Sequence, residues 1–112
     1  MEAIKARFDQ QFAAWNISFP FEDPRHRSPG RLNGAGWNIR YCFIEDNGRL
    51  AMLYAASHRM TNDTLNRIDP DGTLTLLDSC WEFAPADDPA AAVQFDEHNR
   101  RFYQQLEALG LG

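Results

Sequence analysis

The stretch "WNIRYCFIEDNGRLAMLYAASH", Trp37 to His58, decides the fold of this chain. Its first half alternates Trp37, Ile39, Tyr41 and Phe43 with Asn38, Arg40, Cys42 and Ile44, the period of two expected of a β-strand. Asn47-Gly48 follows, a pair favoured in type I′ hairpins because both residues tolerate positive φ. Counting outward from that two-residue turn, Asp46 opposes Arg49, Phe43 opposes Met52, Tyr41 opposes Tyr54, Ile39 opposes Ala56 and Trp37 opposes His58. The second half, "LAMLYAAS", is apolar on both faces, the pattern of a strand covered on both sides.

Downstream, Leu65–Asp69 reads as a third strand, and "DPDG" as a type I turn with Pro70 where its fixed φ fits and Gly72 as a bulge residue. "TLTLLD" then reads as a fourth strand. Counting alone leaves the third strand's register open. A three-residue loop, Thr61-Asn62-Asp63, puts Ile68, Leu74 and Leu76 on the Trp37 face with Asn66 opposite His58. A two- or four-residue loop puts Leu65 and Leu77 there, with Arg67 opposite His58. The first is preferred because it buries three aliphatic side chains rather than two.

At the N-terminal end Ile4, Phe8, Phe12 and Trp15 share one helical face, interrupted by Gln11, which predicts a helix from residue 2 or 3 to 15. Asn16 can end it in a left-handed conformation, and the prolines of "SFPFEDP" cannot continue it. At the other end Asp88-Pro89 suits an N-cap and first helical residue, and Gly110 a stop. Phe95, Phe102, Leu106 and Leu109 form the buried stripe between them. Residues 16–36 read as a long loop in which Ile17, Phe19 and Phe21 pack as an extended or edge strand, leaving Arg25–Gly36 exposed. The expected fold is α+β: a four-stranded antiparallel β-meander flanked by N-terminal and C-terminal helices, in a single two-layer domain over residues 1–112. Both helices are expected on the aromatic face, with the second face left to the long loop or to another subunit.

Composition narrows the function. With 44% apolar and 12% aromatic residues, 112 residues can bury a core without a disulfide or metal. A net charge of −5 argues against an obligatory nucleic-acid binder. Basic residues nevertheless gather in "RHRSPGR", Arg25 to Arg31, so a small anionic ligand stays in view. Cys42 and Cys80 have no CxxC partner and are expected to be reduced apolar residues. His26, His58 and His98 fall in three elements without HxH or HExxH spacing, and the Asp-rich turns lack the EF-hand pattern. No metal or cofactor is expected. The glycines of "RHRSPGRLNGAG" match neither phosphate-loop pattern. No apolar run has signal-peptide or membrane-spanning length, which points to the cytoplasm and to no membrane partner.

Candidate site residues converge on the end of the central hairpin. His58 faces Trp37, Tyr41 and Tyr54, where an imidazole can act as acid or base, or simply cap the core edge with a ring nitrogen on backbone. Arg59 points the other way, towards the face of Arg40, where Asn and Ser mix with Cys42, Ile44, Ala51 and Leu53. A half-apolar face crossed by arginines suits a protein partner. The leading expectation is a binding or interaction module, homodimeric through that sheet face. Its candidate binding residues are Trp37, Arg40, Tyr41, Tyr54, His58, Arg59, Arg25, Arg27 and Arg31. The alternative is a small enzyme acting on a phosphorylated or anionic substrate, with His58 as acid/base and arginines stabilising charge. The first requires Leu53, Ile44 and Cys42 to be exposed. The second requires a pocket where His58 meets an arginine or carboxylate.

Overall fold

The Asn47-Gly48 turn organises the computed structural model, which describes residues 2–20, 30–58, 63–80 and 88–112. Both turn residues have positive φ, 51° and 78°. The strands either side, β2 (Trp37–Asp46) and β3 (Arg49–His58), pair in the counted register from Asp46↔Arg49 to Trp37↔His58. Around them lie α1 (Glu2–Phe12), β1 (Gly30–Gly34), β4 (Asp63–Ile68), β5 (Leu74–Cys80) and α2 (Pro89–Ala108). The architecture is α+β, and the sheet is an antiparallel meander in the order β1-β2-β3-β4-β5.

The sheet has five strands where four were expected. The extra one, β1, lies inside the stretch read as loop and pairs with β2 from Gly30↔Tyr41 to Gly34↔Trp37. A second two-residue turn makes this possible, with Ala35 at φ 50° and Gly36 at φ 85°. Gly30 suits the strand for another reason: the ring of Tyr41 occupies the space that a side chain there would take. Leu32 is the only large apolar residue of the strand, too little for a period of two to register. The segment expected to pair, residues 17–20, instead docks on α1. There Asp9 Oδ1 accepts from the Phe19 amide at 2.7 Å, and Lys5 Nζ donates to the Phe19 carbonyl at 3.0 Å. Phe21 lies outside the described residues.

The helices do not share a face, so the arrangement has three layers rather than two. α1 buries Ile4, Phe8 and Phe12 against Ile39, Met52, Tyr54 and Ile68. α2 buries Phe102 and Leu106 against Cys42, Leu53, Ala55, Leu65 and Cys80 on the opposite face. β3 explains this: Ala51 to Ala56 are all buried, so each face of the strand needs its own cover. Leu53, at 4% exposure, and Cys42, at 6%, are therefore not available to a partner, and the face expected to carry a dimer is occupied by α2.

The preferred register of the third strand has the right faces and the wrong offset. Asn66 lies on the Trp37 side, but opposite Tyr54 rather than His58, with Thr64 opposite Ala56 and Ile68 opposite Met52. The shift is an even number of residues, which leaves every side chain on its expected face. Leu65, which the count treated as lost to the core, is fully buried on the other face under α2. Leu76 is on the expected face opposite Asn66 yet 59% exposed, and a bulge at Leu77 resets the ladder so that Asp78 opposes Leu65.

The helix ends follow their sequence signals. α1 continues as a single 3-10 turn over Ala13–Trp15 and stops at Asn16, which is left-handed at φ 59°. Asp88 caps α2 by accepting from the amides of Ala90 and Ala91. Among the described residues no helix is long and apolar enough to cross a membrane. Because Phe102 is fully buried, Phe102→Ala is expected to cost about 3–5 kcal/mol in urea denaturation, whereas Val93→Ala on the exposed side of α2 changes stability by less than about 0.5 kcal/mol.

Candidate functional site

Where α1 ends, its last turn leaves part of the aromatic sheet face uncovered. Phe12 is buried, but Trp15, the fourth member of the same stripe, is 41% exposed. Its ring sits edge-on to Trp37, with centroids 5.1 Å apart, and Trp37 is in turn edge-on to Phe12 at 5.2 Å. Beside these rings opens a cleft of about 190 Å³ lined by Gln11, Phe12, Trp15, Trp37, Tyr54, Ala56, Thr64 and Asn66. The lining is aromatic with three neutral polar groups and no charged side chain.

The polar groups are held in place. Asn66, the buried polar residue among the described ones, donates from Nδ2 to Thr64 Oγ1 at 3.0 Å, and that hydroxyl lies 3.4 Å from the Ala56 carbonyl. The indole nitrogen of Trp37 is buried without a hydrogen-bond partner. Burial pushes the Tyr54 phenol up to about 12, so it is a neutral donor at physiological pH. Such a cleft can hold an apolar or aromatic group and hydrogen-bond its polar edge.

The expected site residues fall into separate groups. Trp37 and Tyr54 meet in the cleft. His58 packs on Trp37 at 5.0 Å between centroids, but its Nε2 donates to the Ala35 carbonyl at 3.1 Å, across the β1–β2 turn. It closes the rim and is not among the cleft-lining residues. Tyr41 lies further along the face, edge-on to Phe19 at 4.9 Å and next to Phe43. Arg31 and Arg40 are opposite each other on the α2 face of the sheet, so neither converges with His58. Arg25, Arg27 and Arg59 lie outside the described residues.

Counting periods puts Ala56 and Asn66 on this face but does not mark the other cleft residues as a site. Trp15 looks like core, and only the polar interruption at Gln11 hints that the stripe is uncovered on one side. A further polar cluster joins α2 to the sheet: Tyr103 donates to Asp63 Oδ2 at 2.5 Å, with Cys80 Sγ 3.8 Å from both. His98 Nε2 donates to the Ser79 carbonyl at 2.6 Å and lies 3.3 Å from Asp78. Burial, with the bond to Asp63, raises the Tyr103 phenol well above its ordinary value, and burial raises the Cys80 thiol, which keeps it protonated and unreactive. Cys42 and Cys80 are both free. Among the described residues no group of His, Cys, Asp and Glu could hold a metal ion.

Comparison with protein-family models, with curated proteins and with solved structures finds no match.

Two outcomes test this geometry. Tyr103→Phe is expected to cost about 1–2 kcal/mol in denaturant unfolding, because it removes the short hydroxyl bond to Asp63 and leaves that carboxylate only the weak thiol donor of Cys80. Tyr54 ionises at about 12 when folded, against about 10 when unfolded, so the stability it contributes is complete below pH 10 and is lost as the pH rises towards 12. Unfolding measured at pH 8 and pH 11 should show that fall, and Tyr54→Phe should reduce it.

Proposed function

We propose that this protein is a non-catalytic interaction module that pairs with a second copy of itself through the cleft face. The observation that carries the reading is a knob beside a hole. Leu76, 59% exposed, stands directly opposite Asn66, which lines the cleft. Leu77, 45% exposed, follows at the bulge, and Trp15 forms the other rim. A two-fold axis between copies lets Leu76 of each enter the aromatic cleft of the other, since an isologous interface requires one surface to carry both complementary parts. An exposed tryptophan beside an aromatic pocket is the composition of an interface anchor. The absence of charge from the lining removes the desolvation cost that would oppose closure.

The enzyme alternative asks more of the residues. Its acid/base would be a histidine already bonded to the Ala35 carbonyl, and Arg31 and Arg40 would have to stabilise charge from the other side of the sheet. Neither contact favours it.

Sedimentation velocity between about 1 and 100 μM tests the interaction reading. The native chain is expected to show a concentration-dependent dimer. Leu76→Asp should weaken it by at least roughly tenfold, and Val93→Asp on α2 should leave it unchanged. A native chain that stays monomeric over the whole range overturns the proposal, as does a dimer that Leu76→Asp leaves intact.

A further inference from the structure

The opposite side of the sheet carries an arrangement of charge that the fold does not explain. Arg31 and Arg40 are directly opposed on β1 and β2 and point to the α2 face. Like charges in that relation repel, and sheets normally separate or neutralise them. Neither guanidinium has an ion pair among the described residues, although the chain has sixteen acidic residues to eleven basic ones. Nε of Arg40 is moreover buried with no acceptor, and a buried, unanswered charged donor is costly unless something else supplies the acceptor.

Two cavities meet at this residue. One, of about 110 Å³, is lined by Gly30, Arg31, Arg40 and the turn Gly110–Gly112 that follows α2. The other, of about 350 Å³, runs from Arg40 along α2 past Arg100, Tyr103, Gln104 and Leu106. Gly112 borders both, and Glu107 is the one acidic side chain of the lining. The turn is held firmly: the Leu111 amide donates to the Leu106 carbonyl at 2.8 Å, and the Leu111 side chain is buried. The small cavity therefore has a fixed wall, two guanidiniums and glycine backbone, while the larger one adds Tyr103 and Leu106 among polar and charged side chains.

We infer that this is a binding site for a small phosphate monoester, distinct from the aromatic cleft and independent of self-association. The phosphoryl group sits in the smaller cavity, where Arg31 and Arg40 contact its oxygens and Arg40 Nε gains its missing acceptor. Planar guanidiniums suit this because each can offer two parallel donors to a tetrahedral oxyanion. The organic body lies along α2 between Tyr103 and Leu106. Arg100 adds positive charge at the far side and offsets Glu107.

Isothermal titration with inorganic phosphate and with phenyl phosphate, at fixed ionic strength, tests the assignment. Saturable binding of both is expected, with phenyl phosphate tighter by roughly tenfold because it also fills the apolar groove. Arg40→Lys, which keeps the charge and loses the planar fork, should weaken both by at least roughly tenfold. Arg100→Gln, on the exposed helix surface, should weaken both less. Arg101→Gln, outside the lining, should change neither. No saturable binding at about 10 mM ligand, or affinities indifferent to Arg40→Lys, would overturn the site. Equal affinity for the two ligands would overturn the placement of the organic body.

Discussion

The structure depends on the burial of β3 from both sides. From Ala51 to Ala56 every side chain is buried, with Met52, Tyr54 and Ala56 turned towards α1 and Leu53 and Ala55 towards α2. A strand with this pattern cannot sit at a sheet edge or beneath a single layer, because one row of apolar side chains would then face water. Pairing on both edges and helical cover on both faces follow from it. The cross-links between layers are local and polar: Arg7 Nε donates to the Gly72 carbonyl and holds α1 to the β4–β5 turn, while Tyr103 and His98 tie α2 to the ends of β4 and β5.

The two helices cover their faces unequally, and both candidate sites arise where cover runs out. α1 has only three turns of buried stripe before Asn16 ends it, so Trp15 and Trp37 stand at a rim and the sheet beyond Tyr54 is left open. α2 is longer, and the Schellman-like turn after it folds Leu111 back onto Leu106. That turn passes in front of Arg31 and Arg40 without neutralising them. One site is therefore aromatic and uncharged, the other cationic and glycine-walled, and the sheet separates them.

Much of the core was legible because its signals are local. The hairpin register follows from one Asn-Gly pair, the end of α1 from Asn16, the start of α2 from Asp88-Pro89, and the β4–β5 turn from Asp69 to Gly72, where the Gly72 amide donates to the Asp69 carbonyl at 2.8 Å. The strand that escaped notice, β1, has one large apolar side chain and borrows the ring of Tyr41 to cover its glycine. The burial of Leu65 escaped because the helix that covers it lies some forty residues later in the chain, a benefit that no count along one face includes. Of the candidate binding residues, Trp37 and Tyr54 share a site because they lie on one face near one end, while His58, whose face was read correctly, spends its ring nitrogen on a backbone carbonyl.

By itself, the sequence determined both helices, four of the five strands with their faces, and the central register, because these depend on side-chain period and on turn residues a few positions apart. Only the tertiary structure decided which helix covers which face. Both helices carry an apolar stripe that period alone assigns to neither side: Phe8 and Phe12 pack among Tyr54, Trp37 and Phe19, while Phe102 and Leu106 pack with Ala55, Cys42 and Leu65. Placing α2 there covers the surface expected for a partner and leaves the cleft at Trp15 and the paired arginines as the two candidate sites among the described residues.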